Sequence, residues 1–351
     1  MGDTTTIQAP ELEALIAAAL VASNTAAAIA RSVARALAQA EIDGQKGHGL
    51  SRVPSYAAQA KAGKVDGHAV PDVRQTRPGS LMIDVRNGFA YPAFDLAIER
   101  LPGLAVAAGI AAVGFVRSHH FGVVGRHVER LAEAGLVALA FGNTPKAMGA
   151  WGGKRPVFGT NPIAFAAPRR GNPPVVVDLA LSQVARGKIM AAAQKGEPIP
   201  ANWAVDERGA PTTDAAAALK GALLPIGGSK GAALALMVEI LAVALTGARF
   251  AFEASSFFDA EGAPPGVGQL LIAIDPGAFA GRDLFADRIA LMARTIEGDG
   301  GARLPGSRRI ALREKAAREG IAVDAKLLAE VRALGGSPSP HASPGMGRGS
   351  G

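Results

Sequence analysis

Short apolar runs of β character alternate with amphipathic helical runs along most of this chain, and that alternation restricts it to an α/β architecture. The clearest unit joins a strand-like run over 111–117 to a helix-like run over 126–134. Between them lies Ser118-His119-His120-Phe121-Gly122-Val123-Val124-Gly125. Further strands are expected at 80–86, 136–141, 163–167, 175–179 and 269–275, with helices at 91–108 and 182–195. Two amphipathic helices over 10–21 and 24–40 open the chain, the second with Ile29, Val33 and Leu37 on one stripe and Ser23 or Asn24 as its cap. Gly227-Gly-Ser-Lys-Gly231 opens an apolar helix to Leu245, and helices over 279–296 and 308–334 follow. The Ser-, Pro- and Gly-rich tail from Gly335 is expected to be disordered.

At 351 residues the chain is long enough for one or two domains with a large core. It has no cysteine, which removes disulfides, thiolate metal sites and a thiol nucleophile together and fits a reducing compartment. The N-terminus lacks the basic and apolar regions of a signal peptide, and the apolar run 232–245 is too short to span a bilayer and carries Glu239. The expectation is a soluble, cytoplasmic protein with no membrane partner. Net charge is +7, with a basic cluster at Arg303, Arg308, Arg309, Arg313, Lys315 and Arg318. Glu314 and Glu319 interrupt that cluster and aromatics for base stacking are missing from it, so no nucleic-acid partner is expected. A solvated helix face, with one or two arginines reaching a cofactor phosphate, fits better.

The residues that carry chemistry lie in glycine-punctuated turns. In Asp43-Gly-Gln-Lys-Gly-His-Gly-Leu-Ser-Arg52, His48 and Arg52 are four residues apart, and a helical turn begun at Leu50 would converge both on one pocket. The double-histidine turn reads either as hydrogen-bonded core or as a site where backbone approaches a ligand and a helix start offers free N–H groups. Several standard sites are excluded. No G-x-G-x-x-G follows a strand, since Gly266-Val-Gly268 leads into one and Leu271 stands where the third glycine belongs. There is no P-loop and no G-x-S-x-G elbow, and His119, His120 and His127 have no recognised metal spacing, so no metal is expected. The inventory that remains is compatible with hydride chemistry on a 2-oxo acid, without singling it out. That chemistry needs an arginine for the carboxylate, a histidine for the proton and a close-fitting backbone pocket for a dinucleotide.

Seven motifs in one order resemble the malate/L-lactate dehydrogenase family of non-Rossmann type. They are Gly-His-Gly-Leu-Ser-Arg52, Ser-His-His-Phe-Gly122, Gly-Thr-Asn-Pro-Ile-Ala164, Val-Val-Asp178, Ala-Arg-Gly-Lys188, Lys230-Gly with Glu239-Ile-Leu, and Leu304-Pro-Gly306. The family also includes ureidoglycolate and sulfolactate dehydrogenases, diketogulonate reductase, and reductases of piperideine- and pyrroline-2-carboxylate. The resemblance runs from Leu12 to about Leu334.

It implies a sulfolactate-dehydrogenase-like α/β fold, a mixed sheet flanked by helices. A substrate part at 1–120 would pack with C-terminal helices at 290–335, around a central nucleotide-binding part at 121–289 and ahead of a tail at 336–351. It implies NAD or NADP as cofactor, a small carboxylate as substrate, and a homodimer. By position, His48, His120 and Lys188 would be catalytic, either histidine carrying the proton and Lys188 near the reacting oxygen. Arg52, Thr160, Arg186 and Gly187 would bind substrate, with Arg52 as the carboxylate clamp. His120, Phe121, Gly122, Asn143, Thr144, Asp178, Leu179, Ala180, Ser229, Lys230, Pro305, Gly306 and Ser307 would line the cofactor.

One departure bears on the substrate. The family's usual Ser-His-Gly is Gly47-His48-Gly49 here. The serine, and an acid at the position of Lys188, are tied to imine reduction in the family, so their absence favours a 2-hydroxy or 2-oxo acid. Reduction of a cyclic imine-2-carboxylate, and a nucleotide-binding protein that has lost its chemistry, are the alternatives.

Overall fold

The computed structural model describes residues 3–336, and the tail expected from Gly335 lies outside them beyond Gly336. Its centre is a seven-stranded sheet in the order Asp72–Arg77, Ser80–Asp84, Ile110–Ser118, Val267–Ile274, Val137–Gly142, Ile163–Arg169, Asn172–Leu179. Only Ser80–Asp84 and Ile110–Ser118 pair in parallel, and the helix Ala90–Ala108 makes the crossover between them. All other neighbours are antiparallel, so the sheet is mixed, as the resemblance implied.

Side-chain alternation divides the sheet into two faces. Val113, Phe115, Leu271 and Ala273 pack with Phe94, Val128 and Leu131 from the helices Ala90–Ala108 and Val124–Glu133. Leu270 and Ile272 point the other way, against Ala235, Val238, Ala242 and Val243 of the helix Ser229–Glu239 and the π-turn that continues it, Ile240–Ala244. A four-stranded sheet of short pieces, Ala204–Val205, Ala222–Leu223, Met148–Gly149 and Pro156–Phe158, flanks this second face.

Helices from both ends of the chain share a separate core. Leu12, Ile16, Leu37, Tyr56, Leu328 and Val331 meet there, from Ala9–Val21, Ala27–Ile42, Val53–Lys61 and Ala325–Leu334. A short strand, Thr4–Ile7, pairs antiparallel with Ile321–Asp324 and ties the two ends together. Arg313, on the helix Ser307–Glu319, adds a second tie: its guanidinium donates to both carboxylate oxygens of Asp43 and to Glu129.

Three local expectations need correction. The single helix expected over 308–334 is broken at Gly320, whose φ of +79° favours glycine and whose missing Cβ admits Thr6 of the N-terminal strand. The helix expected from 182 begins only at Arg186. Neither Ser23 nor Asn24 caps the second helix; Ala26 holds that position without a side-chain bond, and Asn24, at φ +63°, sits in the turn before it.

Candidate active site

At the end of the strand Ile110–Ser118 the two histidines part. His119 points into the core, where its Nε2 pairs with Gln59 Oε1 at 2.8 Å and its ring meets Tyr56 and Phe89 edge-on. His120 points to a cavity of about 420 Å³. The chain leaves it through Gly122, at φ +70°, where a Cβ would stand 2.6 Å from the Tyr91 hydroxyl. His127 Nε2 bonds the Phe121 carbonyl at 2.8 Å and fixes this exit.

His48 and Arg52 reach the same cavity from two 3₁₀ turns, Lys46–His48 and Leu50–Arg52, so the convergence expected from their spacing is realised. Buried Glu41 holds the second turn by accepting the Leu50 N–H at 2.7 Å. Gly49 is required between the turns, because a Cβ there would stand 2.4 Å from Glu41 Oε1. Arg52 Nε donates to the Gly47 carbonyl at 2.8 Å, and its guanidinium lies 4.8 Å from the centre of the Phe258 ring. Both Nη atoms stay free for a carboxylate among the described residues.

The two imidazoles stack, ring centres 5.2 Å apart, with His48 Nδ1 3.3 Å from His120 Nε2. Behind them His120 Nδ1 makes a short hydrogen bond to the Tyr56 hydroxyl, which bonds the Tyr91 hydroxyl at 3.1 Å. Burial, then the charge of Arg52, push His48 down to about 4. The same causes, in the same order, hold His120 well below the usual histidine range, and burial lifts Tyr56 to about 12. Near neutral pH all of these groups are uncharged.

The opposite wall comes from Gly122, Thr144, Thr160, Asp178, Leu179, Ala180, Arg186 and Gly187. Thr160 is positioned by its N–H bond to Thr144 Oγ1 at 2.9 Å, and its neighbour Asn161 is pinned by buried Glu239, also at 2.9 Å. Asp178 accepts the Gly125 N–H at 2.8 Å from the first turn of the helix Val124–Glu133, and burial lifts its carboxyl above the usual range. Beside Gly125 lies Arg309, buried, with Nη1 lacking a partner. Burial lowers the Arg186 guanidinium; its Nη2 donates to the Leu219 carbonyl at 3.2 Å, and no carboxylate pairs with it among the described residues.

The cavity thus gathers His48, Arg52, His120, Phe121, Gly122, Thr144, Thr160, Asp178, Leu179, Ala180, Arg186 and Gly187 of the expected residues. Others stand apart from its lining. Asn143 is fully buried, bonding the Gly268 N–H and the Arg249 carbonyl. The side chains of Lys188, Ser229 and Lys230 are exposed outside it. The turn Pro305-Gly306-Ser307 stands behind Asp178, where Gly306 packs on Val176 and Arg309. Gln45, Lys146, Phe257 and Phe258 line the cavity, and Tyr56 and Tyr91 back it, without having been anticipated. A signal for the last pair was present, since they are the chain's only two tyrosines; Tyr56 bonds His120, and Tyr91 bonds Tyr56. A larger cleft of about 710 Å³ lies elsewhere, but its charges are already paired, Arg170 with Asp283 and Arg313 with Glu129.

The family model described as malate/L-lactate dehydrogenase matches residues 7–332. A (2R)-3-sulfolactate dehydrogenase (NADP(+)) of Chromohalobacter salexigens is 50% identical over 324 residues, covering 92% of this chain and 96% of the relative. Among solved structures, the Δ1-piperideine-2-carboxylate reductase of Pseudomonas syringae pv. tomato superposes with a TM-score of 0.89 at 40% identity, over 94% of this chain and 99% of that one. The sulfolactate dehydrogenase of Methanocaldococcus jannaschii gives 0.84 at 30% identity, over 94% and 98%.

Proposed function

This chain belongs to the malate/L-lactate dehydrogenase family, and from that premise we propose that it interconverts a 2-hydroxy acid bearing a second anionic group, of the 3-sulfolactate kind, with its 2-oxo acid, using NADP. The observation that carries this reading is the meeting of His48, His120 and Arg52 in one cavity. The second anion is supported by charge: Arg52, Lys146 and Arg186 face a single carboxyl, Asp178, whose own ionisation burial opposes. The 50% identity to a sulfolactate dehydrogenase that uses NADP(+) points the same way.

A dinucleotide suits the wall beyond Gly122. The orphaned Nη1 of Arg309 stands beside Gly125 in the first turn of the helix Val124–Glu133, a setting that favours a phosphate. Gly122, Thr144 and Asp178–Ala180 would hold the nucleotide from the cavity side, with 305–307 completing the wall through Arg309. Asn143 would act by fixing the floor, and Lys188, Ser229 and Lys230 would reach a ligand only by swinging inward.

When bound, the nicotinamide supplies or takes the hydride at C2 of the acid. The Nη atoms of Arg52 hold the carboxylate as a fork, which a lysine could not reproduce. His48 exchanges the proton with the C2 oxygen through Nε2, its one ring nitrogen without a protein partner among the described residues. A carboxylate seated on Arg52 cancels one of the two causes that hold His48 neutral, so substrate binding itself raises the imidazole's proton affinity.

A cyclic imine-2-carboxylate is the second reading, supported by the likeness to the piperideine-2-carboxylate reductase and opposed by Gly47 in place of serine. The test follows consumption of NADPH and NADH with 3-sulfopyruvate, oxaloacetate, pyruvate and Δ1-piperideine-2-carboxylate. Turnover of the dianionic 2-oxo acids with NADPH at the highest kcat/KM is expected. Preference for the imine would overturn the substrate, and silence on every acid would favour a nucleotide-binding protein without catalysis.

The reading includes a homodimer and cytoplasmic residence. The exposed Leu234, Leu236, Met237 and Ile240 on and just beyond the helix Ser229–Glu239 support the first. The lack of cysteine is consistent with the second.

A further inference from the structure

We propose that Tyr56, oriented by Tyr91, is a positioning residue that sets which ring nitrogen of His120 carries hydrogen and thereby lets His48 take up and release a proton inside a buried site. This rests on the proposed role of His48 as the group that exchanges the proton.

The geometry is a single file of four groups: Tyr91 hydroxyl, Tyr56 hydroxyl, His120 and His48, joined by three hydrogen bonds. Both nitrogens of His120 are engaged within the file, so it cannot address a substrate without breaking one of these bonds. Only His48 Nε2 opens outward. Arg52 lies beside His48, and His119 adjoins His120. Asp178 and Arg186 face them across the cavity, and His127 lies beyond Tyr91. The loop that covers the file contributes Phe257, which carries no charge.

The hydrogens of such a file run in one of two directions. The Tyr91 hydroxyl has no acceptor except Tyr56 among the described residues, so at rest it donates to Tyr56. Tyr56 then donates to His120 Nδ1, His120 Nε2–H donates to His48 Nδ1, and His48 shows an N–H to the cavity. Proton uptake at the cavity uses the other neutral tautomer of His48, with hydrogen on Nδ1 and a free lone pair on Nε2; once Nε2 takes the proton both nitrogens carry hydrogen, and the file runs in the opposite direction. His48 Nδ1–H donates to His120 Nε2, His120 Nδ1–H donates to Tyr56, and Tyr56 donates to Tyr91. In reduction, the His48 Nε2–H bond breaks as the O–H bond of the hydroxy acid forms, and the electron pair of the broken bond stays on the imidazole, which returns to neutrality. The step leaves His48 with its hydrogen on Nδ1 and Nε2 free to take the next proton from the cavity, so during turnover no proton crosses the tyrosine end and no buried tyrosinate is required.

A phenolic oxygen serves at this position because it can either donate or accept. A phenylalanine would leave the Nδ1–H of the reversed file without an acceptor, next to a cation that strengthens every bond in the file. The neutral state would lose only a donor to a lone pair. Tyr56→Phe therefore disfavours the protonated state more than the neutral one.

The test has two readouts. In the pH–rate profile for 2-oxo acid reduction, Tyr56→Phe should move the limb assigned to the proton donor to lower pH by about one unit, which is about tenfold in rate at a fixed pH above it. KM for the reduced nucleotide should stay as in the wild type. The second readout is imidazole ¹⁵N NMR of the unliganded wild-type protein near neutral pH. It should show hydrogen on His120 Nε2 and a hydrogen-bonded lone pair on Nδ1, and it needs neither the variant nor a known substrate. A loss of kcat with an unmoved limb would overturn the proposal. So would hydrogen on His120 Nδ1 in the resting protein, whatever the substrate panel shows.

Discussion

The two sides of the cavity are built on opposite terms. On the histidine side the rings and hydroxyls are wired together, His120 at both nitrogens, His48 at one, Arg52 at Nε and Tyr56 twice, which leaves His48 Nε2 and the Arg52 Nη atoms for a ligand. On the far side Arg186 has only a carbonyl, and Arg309 keeps a buried Nη1 with no partner. A wired wall holds its geometry before a ligand arrives, whereas a wall with guanidinium N–H groups left over is completed by the ligand's own charge. Proton transfer should therefore fail when the first wall is cut, and selectivity when the second is.

The largest effect is expected from His48→Ala, which removes the only outward-facing nitrogen of the file. kcat should fall by about 10²–10⁴, with NADPH affinity, measured by fluorescence titration, unchanged. His120→Ala should cost less, because His48 would survive without its partner. Equal losses would erase the asymmetry drawn between the two histidines.

A smaller and more selective effect is expected at the far wall. Arg186→Ala should lower kcat/KM for 3-sulfopyruvate by about tenfold while leaving pyruvate nearly untouched, the difference being about 1.4 kcal/mol for the second anion. An equal loss on both acids would move Arg186 from selectivity to general support of the site.

The smallest effects concern stability. Burial pushes His48 and His127 down to about 4 and His119 to about 3, against about 6.5 for the unfolded chain. Between those values the unfolded chain binds protons that the folded one excludes. The stability held above pH about 6.5 is therefore lost progressively as the pH falls toward 4. Thermal melts across that range should show a falling Tm, and a flat profile would contradict the burial argument. His119→Gln should flatten the slope and leave activity within about threefold, because His119 pairs with Gln59 and faces away from the cavity.

What could be read in the sequence was local. His48 and Arg52 fall one turn apart in a glycine-rich loop, and His120, Thr160 and Asp178 each sit where a strand ends, so short motifs were enough to place them. Tyr56 was harder to see. It reads as a core position of the helix Val53–Lys61, and only the docking of that helix against the strand Ile110–Ser118 brings its hydroxyl to His120. Phe257 and Phe258 lie some two hundred residues after Tyr56 and reach the cavity because Gln59 and Lys64 bond the backbone carbonyls of Phe257 and Asp259. The strand Thr4–Ile7 was hidden by length and polarity: four residues, three of them threonine, give no periodicity to detect. Likewise, the break at Gly320 depends on a partner strand more than three hundred residues away.

The central claim is hydride delivery to C2 with the proton arriving separately at oxygen through His48. Its most direct test reduces 3-sulfopyruvate with NADPH deuterated at the transferable C4 position, in ordinary water, and locates the label by NMR of the product. The account predicts deuterium at C2 of the hydroxy acid and, with His48→Ala, the same label position at a greatly reduced rate. Solvent hydrogen at C2, or an undiminished rate without His48, would contradict it.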